Sequence, residues 1–543
     1  MINGRGLSRR GWRLSLVAAA IVLALLPAGL LQRSTHGVPA TTFAKLTPTN
    51  KKPATPANIG QWTAPHPMNA VAIHMALLYT GKVLMWYSDL SVGANTGSIA
   101  AVYDPTTNTI TQNNVPFPYD VFCAGIIELP NGRVMTFGGL NDSYGAGSDA
   151  GISQTLQYIP YSDTWTQSKP MNNQRWYPTA VELPNGNVIV ASGENYNATR
   201  LVLQMEEYNS TNNTWSVLPY TANISNTANF YPKMILLPTG NIFMAGMVQS
   251  NQMFNPTTNT WSASPANPSL WTRIYGGHVL LPGLERVLAV GGRQESDEAS
   301  SATNSISWID FSQPTPAWVD GCGTAGTTSP AGCIPESQGG PQAMDVIREN
   351  PELVLLPDGT VMAEGGGQGG GKYANPVYYP DDFNPVTNTW ASRTTGAWAS
   401  QQVQRTYHST AVLLPDGRVV SAGSDFGPNP KSLEIFSPPY LETGGVRPTI
   451  TSAPATLNYG QQFTITTPDA ATITRVALIK VESCTHTVRF DGRFVDLSFT
   501  IGNGQITATA PASGNYAPPG YYMLDILNSS GVPAKMPFVL VEQ

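Results

Sequence analysis

Between residues 58 and 441 the chain alternates short apolar runs with turn residues in a pattern that returns at a nearly fixed interval. An apolar run ends on Leu-Pro-x-Gly, a second apolar run follows, and small residues close the unit. The turn stands at Leu129-Pro130-Asn131-Gly132, Leu183-Pro184-Asn185-Gly186, Leu237-Pro238-Thr239-Gly240, Leu356-Pro357-Asp358-Gly359 and Leu414-Pro415-Asp416-Gly417, with looser copies at Leu78-Tyr79-Thr80-Gly81 and Leu281-Pro282-Gly283. Successive leucines are 51, 54, 54, 44, 75 and 58 residues apart. The runs are too short for helices and are bounded by turn formers, so each reads as a strand.

A second phrase follows each turn: an aromatic or aliphatic strand end, an Asn/Asp-Pro-type turn and usually a Trp opening the next strand, as in Phe254-Asn255-Pro256 to Trp261 and Phe383-Asn384-Pro385 to Trp390. Each unit therefore holds two hairpins. Seven units near the ~50-residue period of kelch repeats predict an all-β chain built as a seven-bladed kelch-type β-propeller over 58–441. Its last copy, Ile435-Phe436-Ser437-Pro438, is truncated. The 75-residue gap holds Ser312 to Gly340, rich in Pro, Gly, Ser and Thr, which reads as a surface excursion from the fifth blade. Gly365 to Gly371 reads as a blade glycine pair extended into a loop, not as a phosphate cradle. Beyond Tyr440 the pattern changes. Val476 to Val481, Phe490 to Phe499, Gln505 to Ala510, Tyr521 to Leu527 and Phe538 to Val541 predict a C-terminal immunoglobulin-like β-sandwich over 445–543.

Composition narrows the function. With 543 residues the chain has ample length for several units, and its net charge of −6, with no basic run past the N-terminus, excludes nucleic acid as the expected partner. Arg5, Arg9, Arg10 and Arg13 precede an apolar run from Leu14 to Leu31, a targeting pattern over residues 1–40. It is either a cleaved signal peptide, with Val38-Pro39-Ala40 supplying small residues, or a retained membrane anchor through residues 14–31. Ser8-Arg9-Arg10-Gly11-Trp12 also has the form of a twin-arginine signal. Either way the protein is expected outside the cell or on its outer face, as a monomer, with residues 41–57 as a linker. In an exported chain Cys322 and Cys333 are expected to form a local disulfide. The other two cysteines, Cys123 and Cys484, leave a second disulfide open on the count alone.

Chemistry gathers at the start of the first apolar run in three units. Cys123 and Tyr177 each lie six residues before their leucine and Tyr407 seven before Leu414, so the three occupy nearly one place in different blades, where side chains face a common axis. His408 follows Tyr407 directly. His74 and His278, in apolar strands, read as structural, and His36 and His66 as lying in or near linkers.

Phe122-Cys123-x-Gly125, Arg175-Trp176-Tyr177-Pro178-Thr179, Tyr407-His408-Ser409 and Thr485-His486-Thr487 together resemble the copper radical oxidases, the glyoxal oxidase and galactose oxidase family, over about residues 58–543. The Arg-Trp-Tyr-Pro-Thr form is closer to glyoxal oxidase, and the short linker leaves no place for the N-terminal sugar-binding domain of galactose oxidase. The resemblance implies one copper, with Tyr177, His408 and His486 as equatorial ligands and Tyr407 as axial ligand and base. It also implies a thioether between Cys123 and Tyr177, forming a self-processed radical cofactor. Nitrogen and oxygen donors suit tetragonal Cu(II). The implied activity is oxidation of small aldehydes or primary alcohols by O2 with release of H2O2. Two features depart from the family. Val488-Arg489-Phe490 stands where it often has Asp-Gln-Arg, and the place of the Trp that stacks on the crosslinked ring falls at Asn195, beside Tyr196. The alternative is a non-catalytic propeller that binds glycans or a cell-surface partner.

Overall fold

In the computed structural model the described residues are 59–88, 97–141, 150–195, 201–219, 231–245, 251–263, 270–293, 302–324, 329–427, 430–490 and 492–542. The targeting segment, the linker, His36 and Tyr196 lie outside them. The described chain is all-β, with one four-residue α-helix at Ala391–Thr394 and three short 3-10 turns. It forms nine antiparallel or mixed sheets, seven of them before residue 440.

Five sheets have four strands in meander order, beginning at Gly125–Glu128, Thr179–Glu182, Met234–Leu236, Gly277–Leu280 and Glu352–Leu355. These first strands are almost wholly buried, whereas fourth strands such as Thr260–Ala263 are largely exposed. The gradient explains why the first run of each unit is the most apolar. First strands of neighbouring sheets lie side by side: Gly125–Glu128 beside Thr179–Glu182, and Glu352–Leu355 beside Ser409–Leu413, which in turn lies beside His74–Leu77.

The truncated last unit is completed from far away. Gln61–Trp62 and His66–Pro67 pair with Ser432–Ser437, so His66 is a strand residue and not part of a linker. The Ser312–Gly340 excursion begins later than its composition suggests, because Trp318–Asp320 pairs with Ile306–Asp310 as the fourth strand of its sheet. Cys322 and Cys333, joined by a disulfide, close the loop that follows.

The chain beyond 450 forms a five-stranded sheet (Thr456–Asn458, Phe538–Glu542, Gly520–Asn528, Ile473–Lys480, Phe494–Asp496) and a three-stranded one (Gln462–Thr466, Gln505–Thr509, Phe499–Gly502). The single strand expected over Phe490 to Phe499 is instead divided. Val488–Arg489 forms a hairpin with Ser483–Thr485, Gly492 and Arg493 turn the chain, and Phe494–Asp496 and Phe499–Gly502 join different sheets.

The Leu-Pro-x-Gly turns face this C-terminal region. A Cβ on Gly132 would lie 2.8 Å from the Tyr521 ring and one on Gly186 3.1 Å from Pro519, and both glycines have positive φ, 76° and 78°. Only glycine meets both demands. The Arg475 guanidinium donates to the Asp358 carbonyl (3.0 Å) and Met536 N to the Pro415 carbonyl (2.8 Å), tying the two parts together at that end.

Candidate metal centre

The opposite ends of the first strands carry a repeated backbone feature. Six residues before the leucine of each later unit stand Cys123, Tyr177, Tyr231, Tyr275, Asn350 and His408, and all six have positive φ (54, 60, 47, 58, 58 and 67°). The left-handed region costs a non-glycine residue on the order of 1–3 kcal/mol. It is held here by bonds between units: Tyr177 N donates to Cys123 O (2.9 Å), Tyr231 N to Tyr177 O (3.0 Å) and Asn350 N to Tyr275 O (2.7 Å). The position equivalent to Cys123 and Tyr177 in the last unit is therefore His408, and Tyr407 precedes it by one.

Buried arginines brace this layer. Arg175, Arg273, Arg348 and Arg405 each donate through Nη1 to the backbone carbonyl of a residue just after or ending the second strand of their sheet: Ser192, Gly291, Gly365 and Gly423, at 2.7–2.9 Å. Arg175 and Arg405 also pair with buried Glu206 and Glu434. The arginines of the two site motifs thus hold the loops and do not reach the site.

Into this layer comes the hairpin Ser483–Thr485 and Val488–Arg489, which extends the sheet of His74–Leu77 through the pairing of Met75 with Cys484. Its two-residue tip, His486 and Thr487, has φ of 51° and 65°, the positive pair a type I′ turn requires. The tip is fastened by buried ionisable side chains. Lys233 Nζ donates to the Thr487 hydroxyl (2.8 Å) and the His486 carbonyl (3.4 Å), Glu352 accepts from Thr487 N (2.9 Å), and Arg489 pairs with Glu482.

At the junction the two phenols meet, Tyr177 Oη 3.2 Å from Tyr407 Oη. Ligand atoms of Cys123, His408 and His486 all lie within 4.8 Å of one another, and Cys123 Sγ is 3.5 Å from His486 Nε2. The Cys123 thiol is also a hydrogen-bond neighbour of Tyr177. All five residues are at least nine-tenths buried. Cys123 and Cys484 are both free, so no second disulfide forms, and Cys484 Sγ faces the Ala411 carbonyl instead.

Both imidazoles are oriented. His408 Nδ1 lies 2.9 Å from Asp425 Oδ2, while its Nε2 is buried and has no partner. His486 Nδ1 lies 2.5 Å from the Thr485 hydroxyl, which spends its own proton on the Ile73 carbonyl (2.8 Å). The hydroxyl must then accept, which puts the His486 proton on Nδ1 and the lone pair on Nε2. Burial lowers both imidazoles, with Asp425 opposing it at His408, so both are neutral and able to ligate near pH 7. Burial also pushes Tyr177 and Tyr407 well above the ordinary phenol value. Two neutral Nε2 atoms, two phenol oxygens and a sulfur suit copper.

His74 has the structural place its sequence suggests, whereas Tyr231, Tyr275 and Tyr373 escaped the sequence reading. His74 accepts the Cys123 N–H (2.9 Å) and stacks on Trp86, a structural role that serves the site. Tyr231 donates to the Ala124 carbonyl (2.9 Å) and packs against His486, with ring centroids 5.2 Å apart. Tyr275 and Tyr373 meet the Tyr407 ring edge-on. Trp176 approaches the Tyr177 ring (4.5 Å, tilted 60°), while His278 lies in the buried strand Gly277–Leu280. The six-residue spacing would have found Tyr231 and Tyr275. No spacing rule points to Asp425 or Tyr373.

Comparison with known proteins places these observations. A family model described as glyoxal oxidase N-terminus matches residues 88–263, and one described as galactose oxidase-like, early set domain, matches 447–541. Galactose oxidase of Gibberella zeae is 26% identical, covering 94% of this chain and 75% of that protein. Aldehyde oxidase GLOX of Vitis pseudoreticulata is 28% identical, covering 80% of this chain and 84% of that one. A solved structure of a novel fungal alcohol oxidase of the AA5 family, in complex with copper, superposes with a TM-score of 0.76 at 23% identity, over 90% of this chain and all of that one, which establishes a shared fold. No helix among the described residues is long and apolar enough to cross a membrane. The resemblance to the copper radical oxidases of the glyoxal oxidase and galactose oxidase family, first read from Cys123, Tyr177, Tyr407, His408 and His486, is shared by both domain models and by relatives aligned along most of the chain.

Proposed function

We propose that this chain is an exported, monomeric, mononuclear copper radical oxidase that converts small aldehydes or primary alcohols and releases H2O2. The observation that carries the reading is the meeting of Tyr177 Oη and Tyr407 Oη at 3.2 Å beside Cys123 and two imidazoles whose Nδ1 atoms are already engaged. Seven sheets, most of whose first strands lie beside that of the next, support a seven-bladed propeller, and the paired sheets beyond 450 support an immunoglobulin-like cap.

In this reading Tyr177, Tyr407, His408 and His486 hold the metal, and Cys123 is joined to the Tyr177 ring by a thioether. Bound copper supplies a Lewis acid and one of the two oxidising equivalents. Tyr177 supplies the other, its ring eased toward the radical by the sulfur substituent. Burial alone keeps Tyr407 Oη protonated, so a cation beside it is what would make that oxygen a base for the substrate hydroxyl. Asp425 and Thr485 keep the imidazoles aimed, and Trp176, Tyr231 and Tyr275 exclude water from the two phenols. For an aldehyde hydrate the balance is RCH(OH)2 + O2 → RCOOH + H2O2.

The test is copper-loaded protein screened for peroxide release across glyoxal, methylglyoxal, glycolaldehyde, galactose and glycerol, with the intact mass measured under reductant. A mass short by two hydrogens, restored in Cys123→Ser with loss of turnover, is expected. Full turnover in Cys123→Ser would remove the crosslink from the mechanism. The close grouping of Cys123, His408 and His486 also suits zinc without a radical. Metal analysis showing zinc, with no radical signal after oxidation, would favour that second reading.

A further inference from the structure

Lys372 follows the glycine run Gly369-Gly370-Gly371 in the sixth unit. Its carbonyl accepts from Tyr407 N (3.2 Å), and its Nζ lies 4.7 Å from the centroid of the Tyr407 ring. The residue is half-buried, between a buried Tyr407 and the surface where Phe426 is 61% exposed against Tyr373.

The cations that hold the first-strand layer are mostly committed. Arg175, Arg293 and Arg405 pair with Glu206, Glu349 and Glu434, and Arg489 and Lys480 pair with Glu482 and Glu182. The Lys372 ammonium has no carboxylate within ion-pair distance among the described residues. Asp425, beside the centre, is engaged by His408 and Tyr373. A half-desolvated ammonium resting on a phenol face retains most of its hydrogen-bonding capacity. It stands over the same ring whose oxygen meets Tyr177, within one small molecule's length of the place where substrate would react.

We propose that Lys372 is an anion-recognition point at the rim of this site and that the preferred substrates are short aldehydes bearing a carboxylate. The carboxylate takes a charge-assisted bond from Lys372 Nζ, and the aldehyde carbon, as its hydrate, lies toward Tyr407 Oη. This rests on the oxidase reading and deepens it. Lys372 thereby sorts substrates by charge.

The experiment compares copper-loaded wild type, Lys372→Met and Lys372→Arg with glyoxylate and glyoxal, reading peroxide release. It also measures binding of oxamate, a non-oxidisable carboxylate, to the copper-free proteins by calorimetry. Lys372→Met is expected to lower the glyoxylate-to-glyoxal ratio of kcat/KM by roughly 10-fold or more and to weaken oxamate by a similar factor. Lys372→Arg should keep most of the ratio, and added salt should narrow the wild-type preference. A ratio and an oxamate affinity that stay within about twofold in Lys372→Met would overturn the inference even if glyoxal turnover is normal. Absence of peroxide from every substrate, with oxamate binding still dependent on Lys372, would overturn the oxidase reading and leave the anion point standing.

Discussion

His408 and His486 present the same atom to the same site, yet they are held in different ways. His408 sits on a position that recurs in six units, with its Nδ1 tied to Asp425 in the loop after the second strand of its own sheet. His486 arrives once, on the tip of a hairpin, tied to a hydroxyl and secured by Lys233 and Glu352 from two other units. The first imidazole is positioned by repetition and the second by buried hydrogen bonds with ionisable side chains. Loss of the fold's regularity would disturb one, and loss of a single buried side chain would disturb the other.

The sharpest way to break the comparison is to remove each ring. His408→Ala and His486→Ala should both abolish stoichiometric copper binding, exceeding the about 10–100-fold loss typical of an outer partner, as read by metal content after dialysis. The next step tests the orienting groups. Asp425→Asn and Thr485→Val should each weaken copper by about 10–100-fold while the far-ultraviolet spectrum is retained. A larger loss in Asp425→Asn would mark the charged partner as the stronger orienter.

Acidity separates the two supports. Burial pushes Glu352 up to about 8 from 4.5, with Arg489 and Lys233 opposing. A carboxyl raised on folding contributes stability that is complete below about 4.5 and lost as pH rises through about 8. Unfolding of Glu352→Gln, followed by temperature, should therefore fall less steeply than wild type as pH rises between those limits. The smallest effect is expected of Tyr231→Phe. It removes the bond to the Ala124 carbonyl and should cost about 1 kcal/mol in chemical denaturation, with copper content unchanged.

The repeats were legible because radial burial writes a period into the sequence: each first strand is deeply buried, so each is apolar and ends on the same glycine turn. The same period located Cys123 and Tyr177. It mistook Tyr407 for their equivalent because two adjacent candidates, Tyr407 and His408, differ by only one residue in an irregular loop. Lys233 and Glu352, charged residues at the buried start of first strands, were readable and passed over. His486 was visible only through the family resemblance, since a hairpin inserted once carries no period. Asp425, Lys372 and Tyr373 stand on loops after second strands, whose lengths follow no rule. The pairing of Gln61–Trp62 with Ser437 and Phe436 spans the whole run of repeats, and a two-residue strand gives no local sign of its partner.

That last pairing also bears on how the molecule is made. The sheet that contains Ser409–Leu413 takes its outermost strands from residues 61–67, so a polypeptide emerging from the ribosome cannot complete that sheet until its repeats are nearly all synthesised. His486 follows later still. On the proposed reading, a product terminated before residue 486 would lack one of the metal donors, so acquisition of the metal would be a late event in maturation.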